Sequence, residues 1–136
     1  MLFRSKSAGY GRIINVISTS VKQPLANLGV SNTVRGAVAN WAKTWANEVG
    51  AFGITVNNVL PGATDTARLD QIVADKSQKT GASAEEIRRA MASAVPLKRT
   101  GRPEEVGRAI AFLASPSASY ISGVNLPVDG GRTSSL

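Results

Sequence analysis

Apolar residues change their spacing along this chain, and each change marks an element. Ile13, Ile14, Val16 and Ile17 follow Gly11-Arg12 as a short, nearly continuous apolar run. That is the pattern of a buried strand, so Gly11 to Ser18 is predicted to be extended. After a polar loop through Lys22, Pro24 and Asn27, the spacing becomes helical from about Val30 to Val49. Val34, Ala37, Val38, Trp41, Trp45 and Val49 form one stripe, and Ala39, Ala42 and Ala46 form a second, small-sided one. A helix apolar on two sides is expected to pack against both a sheet and a second surface. Alanines permit close approach, and the tryptophans offer a large apolar area.

Gly50 and Gly53 bracket the end of that helix. Ile54-Thr55-Val56-Asn57-Asn58-Val59-Leu60 reads as a second strand closed by Pro61-Gly62. Thr66 to about Lys79 is predicted helical, and Thr80-Gly81 interrupts it. Ser83 with Glu86 makes a capping box for a helix to about Ala94. Pro103 suits the first turn of another helix, which Val106, Ile110, Phe112 and Leu113 carry to Ala114. Val124 to Val128 is a last short strand before a turn at Asp129-Gly130-Gly131. The order strand, helix, strand, helices, strand predicts an α/β fold with a parallel sheet.

Composition narrows the chemistry. The 136 residues contain neither cysteine nor histidine, which removes disulfides, thiolate nucleophiles, Ser-His pairs and most zinc sites; no metal site is expected. No apolar run approaches the ~18 residues needed to span a bilayer, and no long apolar leader follows Met1, so neither membrane insertion nor export is expected and a cytoplasmic location fits. The net charge of +7 invites a nucleic-acid reading. The sixteen basic residues are scattered, however, and Glu85, Glu86, Glu104 and Glu105 flank the densest groups. The seven aromatic residues do not alternate with them as a base-stacking platform requires, so no nucleic-acid partner is expected.

Four segments in order carry a family resemblance. They are Gly11-Arg12-Ile13-Ile14-Asn15 to Ser18; Val56-Asn57 with Leu60-Pro61-Gly62 and Thr66; Val95-Pro96-Leu97-Lys98-Arg99 with Gly101, Pro103-Glu104-Glu105-Val106 and Phe112-Leu113-Ala114-Ser115; and Ser119-Tyr120-Ile121-Ser122-Gly123 through Pro127-Val128-Asp129-Gly130-Gly131. Together they resemble the short-chain dehydrogenase/reductases, most of all an atypical 3-oxoacyl-[acyl-carrier-protein] reductase-like subgroup. The resemblance implies a partial Rossmann-like, doubly wound parallel sheet. Residues 1–136 are expected to be a single partial domain, the C-terminal half, without the Gly-rich loop that holds the cofactor pyrophosphate. Gly9-Tyr10-Gly11 precedes a strand and reads as a turn, and residues 1–10 resemble the tail of a helix.

The same resemblance implies hydride transfer between NAD or NADP and a small carbonyl or alcohol. The family places a serine at the strand end and a tyrosine and lysine on one helix face. Here those positions read Ser18, Ser31 and Arg35, which are the candidate catalytic residues. Ser18 either orients a substrate carbonyl or caps a turn. Ser31 donates a hydrogen bond, as a far weaker acid than a phenol, or caps the helix N-terminus. Arg35 either holds cofactor oxygens or sits in a surface ion pair; its pKa, above ~12, excludes a proton relay. Pro61, Gly62, Thr64 and Thr66 match the segment that faces the nicotinamide, or turn the chain after a strand. Residues 67–94 match the family's substrate lid. Homo-oligomerisation through the Trp41/Trp45 helix is implied, and an inactive family member or assembly partner is the alternative.

Overall fold

The computed structural model describes residues 2–135. A short helix α1 (Leu2–Ala8) leads through the left-handed Gly9 into strand β1 (Gly11–Val16), so the helical tail expected before the first strand is present. Helix α2 (Gly29–Val49) returns the chain to β2 (Ile54–Pro61). Helices α3 (Ala67–Thr80), α4 (Ala84–Ser93) and α5 (Pro103–Ala114) precede β3 (Asn125–Val128). The sheet order is β1-β2-β3, with both pairings parallel. The predicted elements are therefore present, and α5 has its predicted bounds.

β2 is the axis of the fold. Residues 54–60 are all buried because β1, β3 and helices on both faces surround them. The small-sided stripe of α2 faces the sheet, and Val49, with Trp45 and Val38 in part, joins it from the large-sided one. Ala42, Ala46 and Val49 close on Ile54 and Val56, with Trp45 and Ile13 partly buried against them. Ala39 meets Leu60 and Ile17. On the other face Leu113 of α5 packs against Val59 and Ala118. α3 and α4 have a small core of their own in Leu69, Val73 and Ile87, and Arg88 of α4 joins Asp70 of α3 and Asp65 ahead of it.

Polar residues inside β2 tie the sheet together. Asn15, Asn58 and Asn125 stand in register on three strands and bond in series: Asn15 donates to Asn58 at 2.9 Å, and Asn58 to Asn125 at 2.7 Å. Asn57, wholly buried, points to the other face. Its amide donates to the Ile121 carbonyl at 2.8 Å and its oxygen accepts the Val124 N–H at 3.2 Å. That fixes the chain entering β3. The predicted capping box forms, Glu86 N–H donating to Ser83 Oγ and Ser83 N–H to the Glu86 carboxylate. No described helix is long and apolar enough to cross a membrane.

Candidate active site

Parallel strands deliver their C-terminal ends to one edge of a sheet, where loops are free to carry chemistry. Ile17, just past β1, still pairs by donating its N–H to the Val59 carbonyl at 2.9 Å. Ser18 follows at the bend, half-buried, with its Oγ accepting the Ser20 N–H at 3.1 Å and capping the 3₁₀ turn Thr19–Val21. The turn-capping role is therefore real. Because the hydroxyl oxygen is the acceptor in that bond, its own proton remains available to a substrate oxygen.

Ser31 does not cap α2. The helix begins at Gly29 with Leu28 in the cap position and no side-chain cap, because it starts a residue earlier than the apolar period indicates. Asn32 secures this entry instead, donating to the Leu25 carbonyl at 2.8 Å. Freed from capping, Ser31 meets Arg35 one turn along: the Arg35 Nε–H donates to Ser31 Oγ at 3.2 Å. Arg35 Nη1 also donates to the Ile17 carbonyl at 2.5 Å. Among the described residues Arg35 makes no ion pair, which corrects the surface-pair alternative. Ser31, Arg35 and the peptide leading into Ser18 thus form one chain of contacts, although Ser31 and Arg35 lie on a helix and Ser18 on a strand end.

Ser31 and Arg35 line an open cleft of about 990 Å³ between β1 and the first turns of α2. Its walls include Ile14, Asn15, Val16, Leu28, Val30 and Val34, but none of Ser18, Pro61, Gly62, Thr64 or Thr66. Those last four leave β2 at the same edge of the sheet. Gly62 has a packing reason to be glycine, since a Cβ there would lie 2.7 Å from the Asp129 Cβ. Thr64 donates its hydroxyl to the Gly62 carbonyl and Thr66 its own to the Thr64 carbonyl. Asp129 in turn accepts N–H groups from Gly131 and Thr133. Burial raises its pKa, but those bonds outweigh it and the group stays below the usual carboxylate range.

Against a nicotinamide dinucleotide the donor set fits in part. The main-chain N–H groups of Ala63 and Thr64 have no partner among the described residues and suit a carboxamide oxygen. Arg35 retains N–H groups suited to ribose or phosphate oxygens. No described strand leads through a Gly-rich loop into a helix, so nothing here cradles a pyrophosphate. Among the described residues no group of three or more acidic, histidine or cysteine side chains is placed to hold a metal ion. Tyr120 is fully exposed and Tyr10 donates to the Ala114 carbonyl, so neither phenol enters the cleft.

Residues 2–133 match the family described as Enoyl-(Acyl carrier protein) reductase. The chain is 36% identical over 131 residues to the NADPH-dependent reductase BacG of Bacillus subtilis, covering 96% of this chain and 51% of that one. It is 41% identical over 123 residues to the 3-oxoacyl-[acyl-carrier-protein] reductase FabG of Vibrio cholerae, covering 89% and 45%. A solved short chain dehydrogenase family protein from Francisella tularensis superposes with a TM-score of 0.87 at 27% identity, over 91% of this chain and 51% of that one. The chain spans about half the length of the curated relatives it matches.

Proposed function

This chain belongs to the short-chain dehydrogenase/reductase family, and on that footing we propose that it forms the catalytic and substrate-side half of an NAD(P)-dependent oxidoreductase acting on a small carbonyl or alcohol. The observation that carries the reading is the link from Ser31 through Arg35 to the Ile17 carbonyl beside Ser18, which gathers three separated positions at the C-terminal edge of the sheet. When bound, the dinucleotide supplies or accepts the hydride. Arg35 holds its ribose or phosphate oxygens, and the free N–H groups of Ala63 and Thr64 hold the carboxamide. Ser18 and Ser31 each accept an N–H and keep a proton to donate, so two hydroxyls can polarise a substrate oxygen. The fixed charge of Arg35 favours negative charge developing on that oxygen. The half of the domain that cradles the pyrophosphate is supplied by polypeptide outside these residues, and the assembled enzyme is cytoplasmic.

The exposed face of α2 supports association of the assembled enzyme. Trp41 and Trp45 stack with ring centroids 4.5 Å apart, yet Trp41 is half exposed. An inactive assembly partner is the second reading, favoured by an aliphatic hydroxyl where the family has a phenol. To separate the two, the chain is co-expressed with the N-terminal half of the Bacillus relative and NADPH oxidation is followed with carbonyl substrates. Oxidation lost on both Ser18→Ala and Ser31→Ala supports the enzyme; binding of the halves without oxidation supports the inactive partner. A monomeric assembly on sedimentation removes the α2 interface.

A further inference from the structure

Three parallel strand ends stand side by side at the edge that carries Ser18, and the segment after β3 ties them together. Asp129 is its first anchor. Gly62, at the end of β2, donates its N–H to the Val128 carbonyl at 3.0 Å, and a Cβ added to it would lie 2.7 Å from the Asp129 Cβ. The Asp129 carboxylate accepts the Gly131 N–H at 2.9 Å and the Thr133 N–H at 2.8 Å, which winds the chain back on itself. Left-handed Gly130 and Gly131, at φ +67° and +86°, permit so tight a winding. It delivers Ser134 to Gln23, 111 residues away in sequence. The Ser134 N–H and hydroxyl both donate to Gln23 Oε1, at 3.1 and 3.2 Å, and fill the two lone pairs of one amide oxygen.

Gln23 is the last residue of the turn that Ser18 caps. The N–H groups of Val21, Lys22 and Gln23 donate to the carbonyls of Ser18 and Thr19, and Thr19 and Ser20 are buried. Burial holds the start of this turn. Its end is exposed and runs into Pro24, which has no N–H to continue the bonding. We propose that residues 129–134 act as a strap that fixes the Ser18 turn, with Asp129 and Gln23 as positioning residues for the Ser18 hydroxyl. Because Ser18 Oγ accepts the Ser20 N–H, play in the turn moves that hydroxyl. This role rests on the reading of Ser18 as a donor to substrate, and it extends the site to two residues that act on it only through the turn.

Hydrogen exchange of the Ser20 amide in the 136-residue chain reads the strap directly, since that N–H bonds Ser18 Oγ. Gln23→Met keeps the length of the side chain and removes the oxygen acceptor. It is expected to speed Ser20 exchange about fivefold or more, as loss of a modest hydrogen bond would. Gln23→Glu returns an acceptor and should return the parent rate. Asp129→Ala, which keeps the Cβ beside Gly62, should match Gln23→Met, and the double variant should add nothing, because two anchors of one strap act in series. Exchange that is unchanged in Gln23→Met, not restored by Gln23→Glu, or summed in the double variant overturns the proposal. In the assembled halves, Gln23→Met should lower kcat several-fold with KM for NADPH unchanged. Equal kcat beside faster exchange also overturns it. Assembled halves that oxidise no NADPH in any variant remove the reductase reading alone, and the exchange pattern still decides for or against the strap.

Discussion

Arg35 reaches across from α2 to the main-chain carbonyl of Ile17, 2.5 Å from Nη1, and so joins the helix to the last residue before Ser18. Ile17 still donates to the Val59 carbonyl, but the next position of β2 in the parallel register is Pro61, which has no N–H to offer the Ile17 carbonyl in return. Arg35→Ala is expected to cost about 1–2 kcal/mol of stability, the value of hydrogen bonds from a charged donor to a half-buried acceptor. Arg35→Lys should recover only part of it, because a single ammonium lacks the fork that meets Ser31 and Ile17 together. Urea unfolding of the three proteins measures this, and equal midpoints would remove the bracing role.

Asn57 carries a larger share. Replacing it with alanine strands the Ile121 carbonyl and the Val124 N–H at a wholly buried position. A loss of about 2–4 kcal/mol is expected. Amide exchange should also quicken along Asn125–Val128, because Asn57 fixes the chain that enters β3. Asn58→Ala breaks the series from Asn15 to Asn125 on the opposite face and tests whether that ladder contributes comparably.

These asparagines show where reading the sequence stops. The period of apolar residues located the strands and helices because burial on one or two faces is a local, repeating demand. It also separated the small stripe of α2, which meets the sheet, from the side bearing Trp41. The family resemblance picked out Ser18, Ser31 and Arg35, and the interval of four residues adds that Ser31 and Arg35 share one helix face. It did not reveal that Asn57 answers groups 64 and 67 residues away, because two amides in an apolar run look alike whatever faces them. Nor did it show that Arg35 bonds a main-chain carbonyl, an acceptor every residue carries. Ser31 read as a cap because caps are assigned from the apparent helix start, and Leu28-Gly29 gave no polar signal of the true one.

Glycines allow a paired test of packing against conformation. Gly53 is left-handed at φ +68°, and a Cβ there would sit 2.2 Å from the Gly9 carbonyl oxygen. Gly53→Ala is expected to destabilise by about 2 kcal/mol or more, from strain and collision together. Gly107 lies inside α5 with nothing within 4 Å of an added Cβ. Gly107→Ala should stabilise by about 0.5–1 kcal/mol through helix propensity alone. Opposite shifts of the melting temperature are the expected outcome.

Acid should act through Glu105 at the start of α5. Its carboxylate takes two bonds from Arg99, each 2.7 Å, and the Arg102 N–H, also at 2.7 Å. The Arg99 hydrogen bonds, with the Arg102 N–H next, hold its pKa down at about 2, against about 4.3 for a free glutamate. A depressed carboxylate contributes stability that is fully present above the unfolded value and fades as pH falls toward the folded one. Stability should therefore decline between about pH 5 and 2 in the parent chain. Glu105→Gln cannot titrate, so it should start less stable at pH 7 and lose less across that window. Parallel decline of the two proteins would show that other carboxylates, not this one, govern the acid limb.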